Sequence, residues 1–429
     1  MPLAEPSVGG IGRPGPPAFD AVDRIFREES GRVVAGLIRA VGDIDLAEES
    51  VQDAFVSALE HWARHGLPPN PGAWIATTAR NKAIDRLRRQ KRFTQKVDAL
   101  AQLMATETAD LPSAGPDVED DRLRLIFTCC HPALSRDAQV ALTLRLLGGL
   151  RTPEIARAFL IPEPTLAQRL VRAKRKIRQA GIPYRVPPAE ELPERVDSVL
   201  HVLYLVFNEG YSATSGATLV RREMTTEAIR LARLVAELMP SQPEVLGLLA
   251  LLLLQDSRRD SRQAESGELV VLSEQDRSRW DRERIYEGLA VLERASLLGP
   301  PGPYQLQAAI AAEHARAAEA GETDWPRIVR LYDVLLAIVP SPVVALNRAV
   351  AVSMAEGPER GLDIVDSLVA RGDLAGYHLL HSTRAELLRR LGRAADAAAA
   401  FQHAADLATN DVERSYLERR LRELQPITN

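Results

Sequence analysis

An all-α protein is what this sequence predicts, on three observations. Alanine, leucine, arginine and glutamate are abundant while Phe, Trp and Tyr make up only 5% of residues, a mix that favours helices over sheets. Apolar residues recur at i, i+3 and i+4 instead of alternating. Late in the chain, paired helical patterns repeat, with Gly357 and Gly392 at equivalent turns 35 positions apart (392 − 357), as a helical solenoid requires.

The bulk numbers bound the rest. At 429 residues the chain exceeds one compact core, and length suggests about three domains. A 46% apolar and 26% charged composition is that of a globular protein, and the longest apolar run, Val245 to Leu254, is about half a membrane span. The reading is therefore a cytoplasmic chain with no membrane partner. Net charge is −4, but all lysines lie between Lys82 and Lys176, so basic charge is concentrated early. The only cysteines, Cys129 and Cys130, are adjacent, which excludes a disulfide framework.

Taken in order, residues 1–17, "MPLAEPSVGGIGRPGPP", read as a disordered leader rather than a signal peptide. Residues 18–92 are helical: Val51, Ala54, Phe55, Ala58, Leu59 and Trp62 form one buried face. Prolines in "RHGLPPNPG" interrupt the pattern, and a new helix starts near Trp74. Residues 93–118 form a polar, proline-punctuated linker. A second helical block spans 119–182, a proline-rich hinge 183–193, and an Ala- and Leu-rich helical domain 194–425. The repeat spacing in that last block is close to the tetratricopeptide (TPR) period of about 34 residues, so it reads as a TPR-like solenoid with one polar insert, "QDSRRDSRQAESGE".

Two helices carry basic faces. After Pro164, which suits a helix first turn, Leu166, Leu170, Ala173 and Ile177 make a narrow apolar stripe. Thr165, Gln168, Arg169, Arg172, Arg175 and Lys176 occupy the opposite arc. The preceding "TPEIARAF" supplies a first helix with Thr152 as N-cap. Together they follow the grammar of a helix-turn-helix, except that Leu160 stands where a glycine is expected, which predicts a wider turn. In the helix from Trp74, Ile75, Ala76, Ala79, Ala83, Ile84 and Leu87 face one way. Thr77, Thr78, Asn81, Lys82, Asp85, Arg88 and Arg89 face the other, able to track phosphates and meet base edges. Trp74 suits either base stacking or core packing.

"DLAEESVQDAFVSALEHW" with "PGAWIATTARNKAIDRLRR" resembles region 2 of the sigma-70 family, and "LTLRLLGGLRTPEIARAFLIPEPTLAQRLVRAKRKI" resembles region 4. With only these two regions, the chain resembles an extracytoplasmic-function (ECF) sigma factor. "LYLVFNEGYSATSG" and "SPVVALNRAVAV" are similar to the subgroup with a C-terminal TPR-containing extension. The resemblance implies a non-enzymatic RNA polymerase sigma factor that directs core polymerase to promoters for transcription initiation. It implies −10 contacts through Trp74, Thr77, Asn81, Lys82, Asp85, Arg88 and Arg89. It implies −35 contacts through Thr165, Gln168, Arg169 and Arg172, with Arg175 and Lys176 on phosphates. Asp45, Glu48, Gln52, Asp53 and Phe55 would meet the polymerase, and the C-terminal domain would regulate the module or bind a regulatory protein.

No cofactor or metal is expected. "CCH", Cys129 to His131, falls short of the four ligands of a closed zinc site. His378 and His381 read as packing or groove residues. "NEG" (208–210) and "DRSRWD" (276–281) read as surface loops. The alternative is a stand-alone helix-turn-helix regulator whose TPR-like domain senses a ligand or peptide; an enzyme is disfavoured because no nucleophile, base and orienter are grouped.

Overall fold

The computed structural model describes residues 16–89, 116–159, 161–212 and 220–424. Among them the regular structure is helical, and the one pairing of extended backbone is an isolated bridge between Gln263 and Leu269. The chain divides into two compact units, residues 1–156 with 161–199, and 157–160 with 200–429. The expected leader and linker lie almost wholly outside the described residues, as does Leu160. Their inner edges differ from expectation: Pro16 opens the first helix and Pro116 the fourth. A proline lacks only an N–H that the first helical turn leaves unpaired anyway.

In the first unit, α1 (Pro16–Val41), α2 (Ile44–His65) and α3 (Pro71–Arg89) pack on one another. Asp43 caps α2 by accepting the Leu46 N–H at 3.0 Å, and Gly66 ends it with φ 79°. Asn70 accepts the Ala73 N–H at 3.0 Å, opening α3. Val51, Ala54, Phe55, Ala58 and Trp62 of α2 are buried, as are Ile75, Ala79, Ala83 and Leu87 of α3. Each large side chain among them contributes about 1.5–3 kcal/mol.

Next come α4 (Pro116–Cys129), α5 (Arg136–Leu142), a π turn at Thr143–Leu147, α6 (Thr152–Ala158) and α7 (Glu163–Gln179). Helices α5 and α7 pack together, while α4 and the π turn lie against α1. Gly31 permits that approach, because a Cβ there would stand 2.9 Å from the Leu147 carbonyl oxygen. The Tyr184 hydroxyl lies 2.8 Å from the Ala35 carbonyl of α1 and 3.0 Å from the Asp121 carbonyl of α4. The buried Asp121 carboxylate in turn pairs with Arg39 at 2.9 Å and Arg124 at 3.0 Å. The segment expected as a hinge from 183 is thus tied down at Tyr184.

Helix α8 (Leu192–Tyr211) contains the unit boundary. The second unit continues with α9 (Arg222–Leu238), α10 (Pro243–Asp256), α11 (Arg282–Ser296), α12 (Pro303–Arg316), α13 (Trp325–Ile338), α14 (Pro342–Ala355), α15 (Pro358–Ala370), α16 (His378–Arg390), α17 (Ala394–Leu407) and α18 (Asp411–Leu424). From α9 onward each helix packs on its successor. Helix α10 is the apolar run noted above; Val245 to Leu254 are all buried, as an all-round apolar helix must be. Gly357 and Gly392 adopt φ 107° and 73° at their turns, a region open to glycine without strain.

Two loop expectations are corrected. "NEG" lies inside α8, where buried Gly210 brings the helix against α9: a Cβ on it would meet the Thr225 nitrogen at 2.7 Å. In "DRSRWD", Arg277 and Trp280 are buried at 7% and 4% exposure. Arg277 donates to the carbonyls of His314 at 2.7 Å and Ala317 at 2.8 Å and to the Thr323 hydroxyl at 3.0 Å, pinning the loop inward.

Candidate nucleic-acid interface

Helix α7 presents the clearest external chemistry. Leu166, Leu170, Ala173 and Ile177 are buried, which fixes the rotation of the helix. Thr165, Gln168, Arg172, Arg175 and Lys176 are exposed, and Arg169 is half-buried. Five of these six line one groove of about 380 Å³ with the start of α5: Thr165, Gln168, Arg169, Arg172 and Lys176. Arg175 lies on the adjoining face beside exposed Val171. Asp137 of α5 holds Arg169 at 3.3 Å, orienting its guanidinium at the groove floor. The helix before it differs from expectation at its cap. The first backbone acceptor is the Arg151 carbonyl, which takes the Ile155 N–H at 3.1 Å, and the Glu154 carboxylate accepts the Arg151 N–H at 2.7 Å. The cap is therefore Arg151, one residue before Thr152, because Glu154 reaches back to close a half capping box there.

On α3, Thr77, Asn81, Asp85, Arg88 and Arg89 are exposed, with Thr78 and Lys82 half-buried. Trp74 packs against the aromatic side chains of α2. Its ring meets Trp62 edge-on at 5.4 Å and stacks on His61 at 5.5 Å, yet it stays half-buried. Arg86 points the other way, bonding the α2 carboxylates of Glu49 and, at 2.7 Å, Asp53. Burial works against the Arg86 charge, but these two carboxylates outweigh it and raise its pKa.

Asp45 and Glu48 of α2 are not free. Glu48 receives Arg145 at 2.6 Å and Lys174 at 3.0 Å, and Gln52 donates to it at 2.9 Å. Asp45 pairs with Lys174 at 2.6 Å and with Arg178. Arg145 comes from the π turn and Lys174 and Arg178 from α7, so a charged clasp joins α2 to the π turn and α7. Burial alone would raise the Asp45 carboxyl; the hydrogen bonds and charges of Lys174 and Arg178 overcome it and hold its pKa low. Lys174 likewise titrates above its ordinary range: desolvation opposes its charge, and Glu48 and Asp45 outweigh that. Phe55 is a correction. It is 5% exposed and meets Phe26 edge-on at 4.7 Å, so its ring belongs to the α1–α2 core and not to an outer docking face.

Cys129 and Cys130 are buried and unpaired. Burial pushes the Cys129 thiol well up and the Cys130 thiol to about 12, so neither is a thiolate at neutral pH. Among the described residues no group of three or more His, Cys, Asp or Glu side chains is placed to hold a metal, and no helix is long and apolar enough to cross a membrane. The sequence missed the clasp, because nothing in local spacing links Glu48 to residues 97 and 126 positions later.

Family models match three stretches: Sigma-70 region 2 at residues 25–93, Sigma-70 region 4 at 124–177, and a family of unknown function (DUF6596) at 195–296. An uncharacterized protein of Rhizobium meliloti (strain 1021) is 46% identical over 394 residues, 91% of this chain and 92% of its own length. The RNA polymerase sigma factor CarQ of Myxococcus xanthus is 31% identical over 162 residues, 38% of this chain and 90% of its own. The ECF RNA polymerase sigma factor SigL of Mycobacterium tuberculosis (strain ATCC 25618 / H37Rv) is 32% identical over 144 residues, 33% of this chain and 77% of its own.

Proposed function

The chain belongs to the ECF-type sigma factors of the sigma-70 family, which serve RNA polymerase in transcription initiation, and from that premise we propose how its residues divide the work. Its partners are core RNA polymerase and promoter DNA, met in the cytoplasm. Helix α7 reads the −35 duplex, with Thr165, Gln168, Arg169 and Arg172 at base edges and Arg175 and Lys176 on phosphates. Helix α3 takes the −10 element through Trp74, Thr77, Asn81, Lys82, Asp85, Arg88 and Arg89. A half-buried Trp74 beside that basic face offers a stacking surface that offsets part of the few kcal/mol that unstacking a base costs. Asp45, Glu48, Gln52 and Asp53 of α2 form the polymerase-docking set.

The observation that carries this reading is the convergence of Thr165, Gln168, Arg169, Arg172 and Lys176 on one groove. It is tested by transcription with purified core enzyme on a promoter library. Arg172→Ala should relax discrimination at one −35 position, by about 1–3 kcal/mol. Lys176→Ala should weaken all promoters alike and lower the salt slope by about 1. If both variants behave identically, the division into base-reading and phosphate-tracking residues is wrong.

The clasp adds a condition. While Lys174 and Arg178 hold Asp45 and Glu48, the acids proposed for polymerase are engaged inside the protein. Polymerase must therefore compete with α7 for them. Lys174→Glu, outside the proposed DNA-reading set, should raise holoenzyme assembly in a polymerase pull-down; a loss of assembly with folding intact would remove the clasp from the mechanism. The C-terminal helices, read as TPR-like, are assigned to regulation and to binding a regulatory protein.

A further inference from the structure

The second unit holds a cavity of about 650 Å³ that no part of the promoter-reading mechanism uses. We propose that it is a ligand site for a small amphiphilic carboxylate, with the apolar tail against Val350, Met354 and Leu379 and the carboxylate on the Arg390 guanidinium. The site stands apart from promoter reading, and its test needs neither polymerase nor DNA.

Size and lining come first. The volume falls in the range of sites that enclose drug-sized molecules, about 300–1,000 Å³, and such sites combine apolar walls with few placed polar groups. Here Leu272, Trp325, Leu387 and Phe401 contribute to the walls. At the cavity, Val350 and Met354 of α14 and Leu379 of α16 are 37%, 42% and 41% exposed. Large apolar side chains left together in water mark a contact surface.

Charge selects the head group. Of the acids in the lining, Glu386 is taken by Arg389 at 2.6 Å and Arg420 at 2.9 Å, and Glu413 lies 3.2 Å from His378. Glu274 is exposed and solvated. Arg390 makes no ion pair among the described residues. Its partners are the Ser353 hydroxyl at 3.4 Å, the Ser353 carbonyl at 3.3 Å and the Met354 sulfur at 3.5 Å, all long and uncharged. Its fork of donors is therefore held by weak neutral contacts and has no counter-ion, and a carboxylate is the group that such a fork takes two-handed. The contact with Met354 sets head and tail positions side by side. Arg277, also in the lining, donates to carbonyls and a hydroxyl and lies over the Trp280 ring at 5.1 Å, so it too has no carboxylate as a hydrogen-bond partner among the described residues.

The segment that follows the polar insert closes one side of this site. Leu269, Val271 and Leu272 form one wall, and Glu268 ties it to Arg419 of α18 at 3.0 Å.

Calorimetric titration of the full chain with decanoate, decanol and decylammonium tests the proposal. Decanoate should bind saturably, decanol at least about tenfold more weakly, and decylammonium should not displace decanoate. Arg390→Gln, at an exposed position without an ion pair, should lower decanoate affinity about tenfold and leave decanol unchanged. Met354→Glu should weaken both. A leucine-terminated hexapeptide, with free carboxylate or amide, then assigns the source: displacement by the acid form alone supports a chain terminus, and no displacement supports a free acid. Equal binding of decanoate and decanol, tighter binding of decylammonium, indifference to Arg390→Gln, or no carboxylate binding up to its solubility overturns the proposal.

Discussion

Glu48 shows how much one carboxylate can join. Its side chain and that of Arg145 are each 12% exposed, and Lys174 is 15% exposed. Glu48→Gln would leave two cations sharing one weak acceptor, and breaking so buried a pairing costs about 3 kcal/mol; urea unfolding of the full chain measures it. Its neighbours set the pH response. Asp45 titrates below the ordinary 3.8, so its contribution is complete above that value and lost as pH falls through the folded value. Lys174 titrates above 10.5, so its contribution is complete below that and lost at higher pH. The clasp should hold steady from about pH 5 to 9 and respond instead to salt, since its Arg178 and Asp45 end is open to screening. His314 behaves differently. Burial first, then Arg258 and Arg277, push it from 6.5 down to about 3. Its neutral form is the folded form, so this stabilising contribution is complete above 6.5 and drains away as pH falls toward 3. Melting temperatures of the wild type and His314→Gln should converge on acidification across that window. Parallel curves would show that His314 titrates normally.

At the level of elements, the helices with a single buried apolar stripe were the most legible. The stripe Leu166, Leu170, Ala173, Ile177 fixed which face of α7 points outward, because a period of 3.6 allows only one rotation of the helix against α5. Helix α3 was legible for the same reason. What escaped was anything set by a side chain reaching across sequence. The Arg151 cap depends on Glu154 turning back, and the clasp depends on Arg145 and Lys174 reaching Glu48. The inward turn of Arg277 depends on carbonyls at 314 and 317. The lack of a helical period assigned "DRSRWD" to a surface loop, whereas hydrogen bonding turns Arg277 inward. The close contact at Gly31 is a further case, invisible in a helix whose pattern it does not interrupt. Gly31→Ala should cost about 1–3 kcal/mol by overpacking against the π turn, and a thermal melt within half a degree of wild type would show that the contact yields freely.

The whole molecule pairs a promoter-reading unit with a helical extension that is longer than it. Composition changes between them, since lysines end at Lys176 and alanine and leucine take over afterwards. Neither composition nor periodicity could reveal the cavity in the second unit, because its lining joins the segment after the polar insert, from Leu269, to helices as far along as Arg420 of α18. If the extension regulates initiation, removing residues 200–429 should change transcript yield in vitro at fixed holoenzyme concentration. Identical yields would confine the extension to other roles.

Lys174 and Lys176 sit two positions apart on α7, one held between two carboxylates and the other exposed. An amine-reactive reagent should therefore modify Lys176 readily and Lys174 slowly in the free protein. If, as proposed, the clasp opens and DNA covers the outer face, the order should reverse. Because one proteolytic neighbourhood carries both amines, their ratio by mass spectrometry is an internal gauge of state that needs no label and no reporter gene.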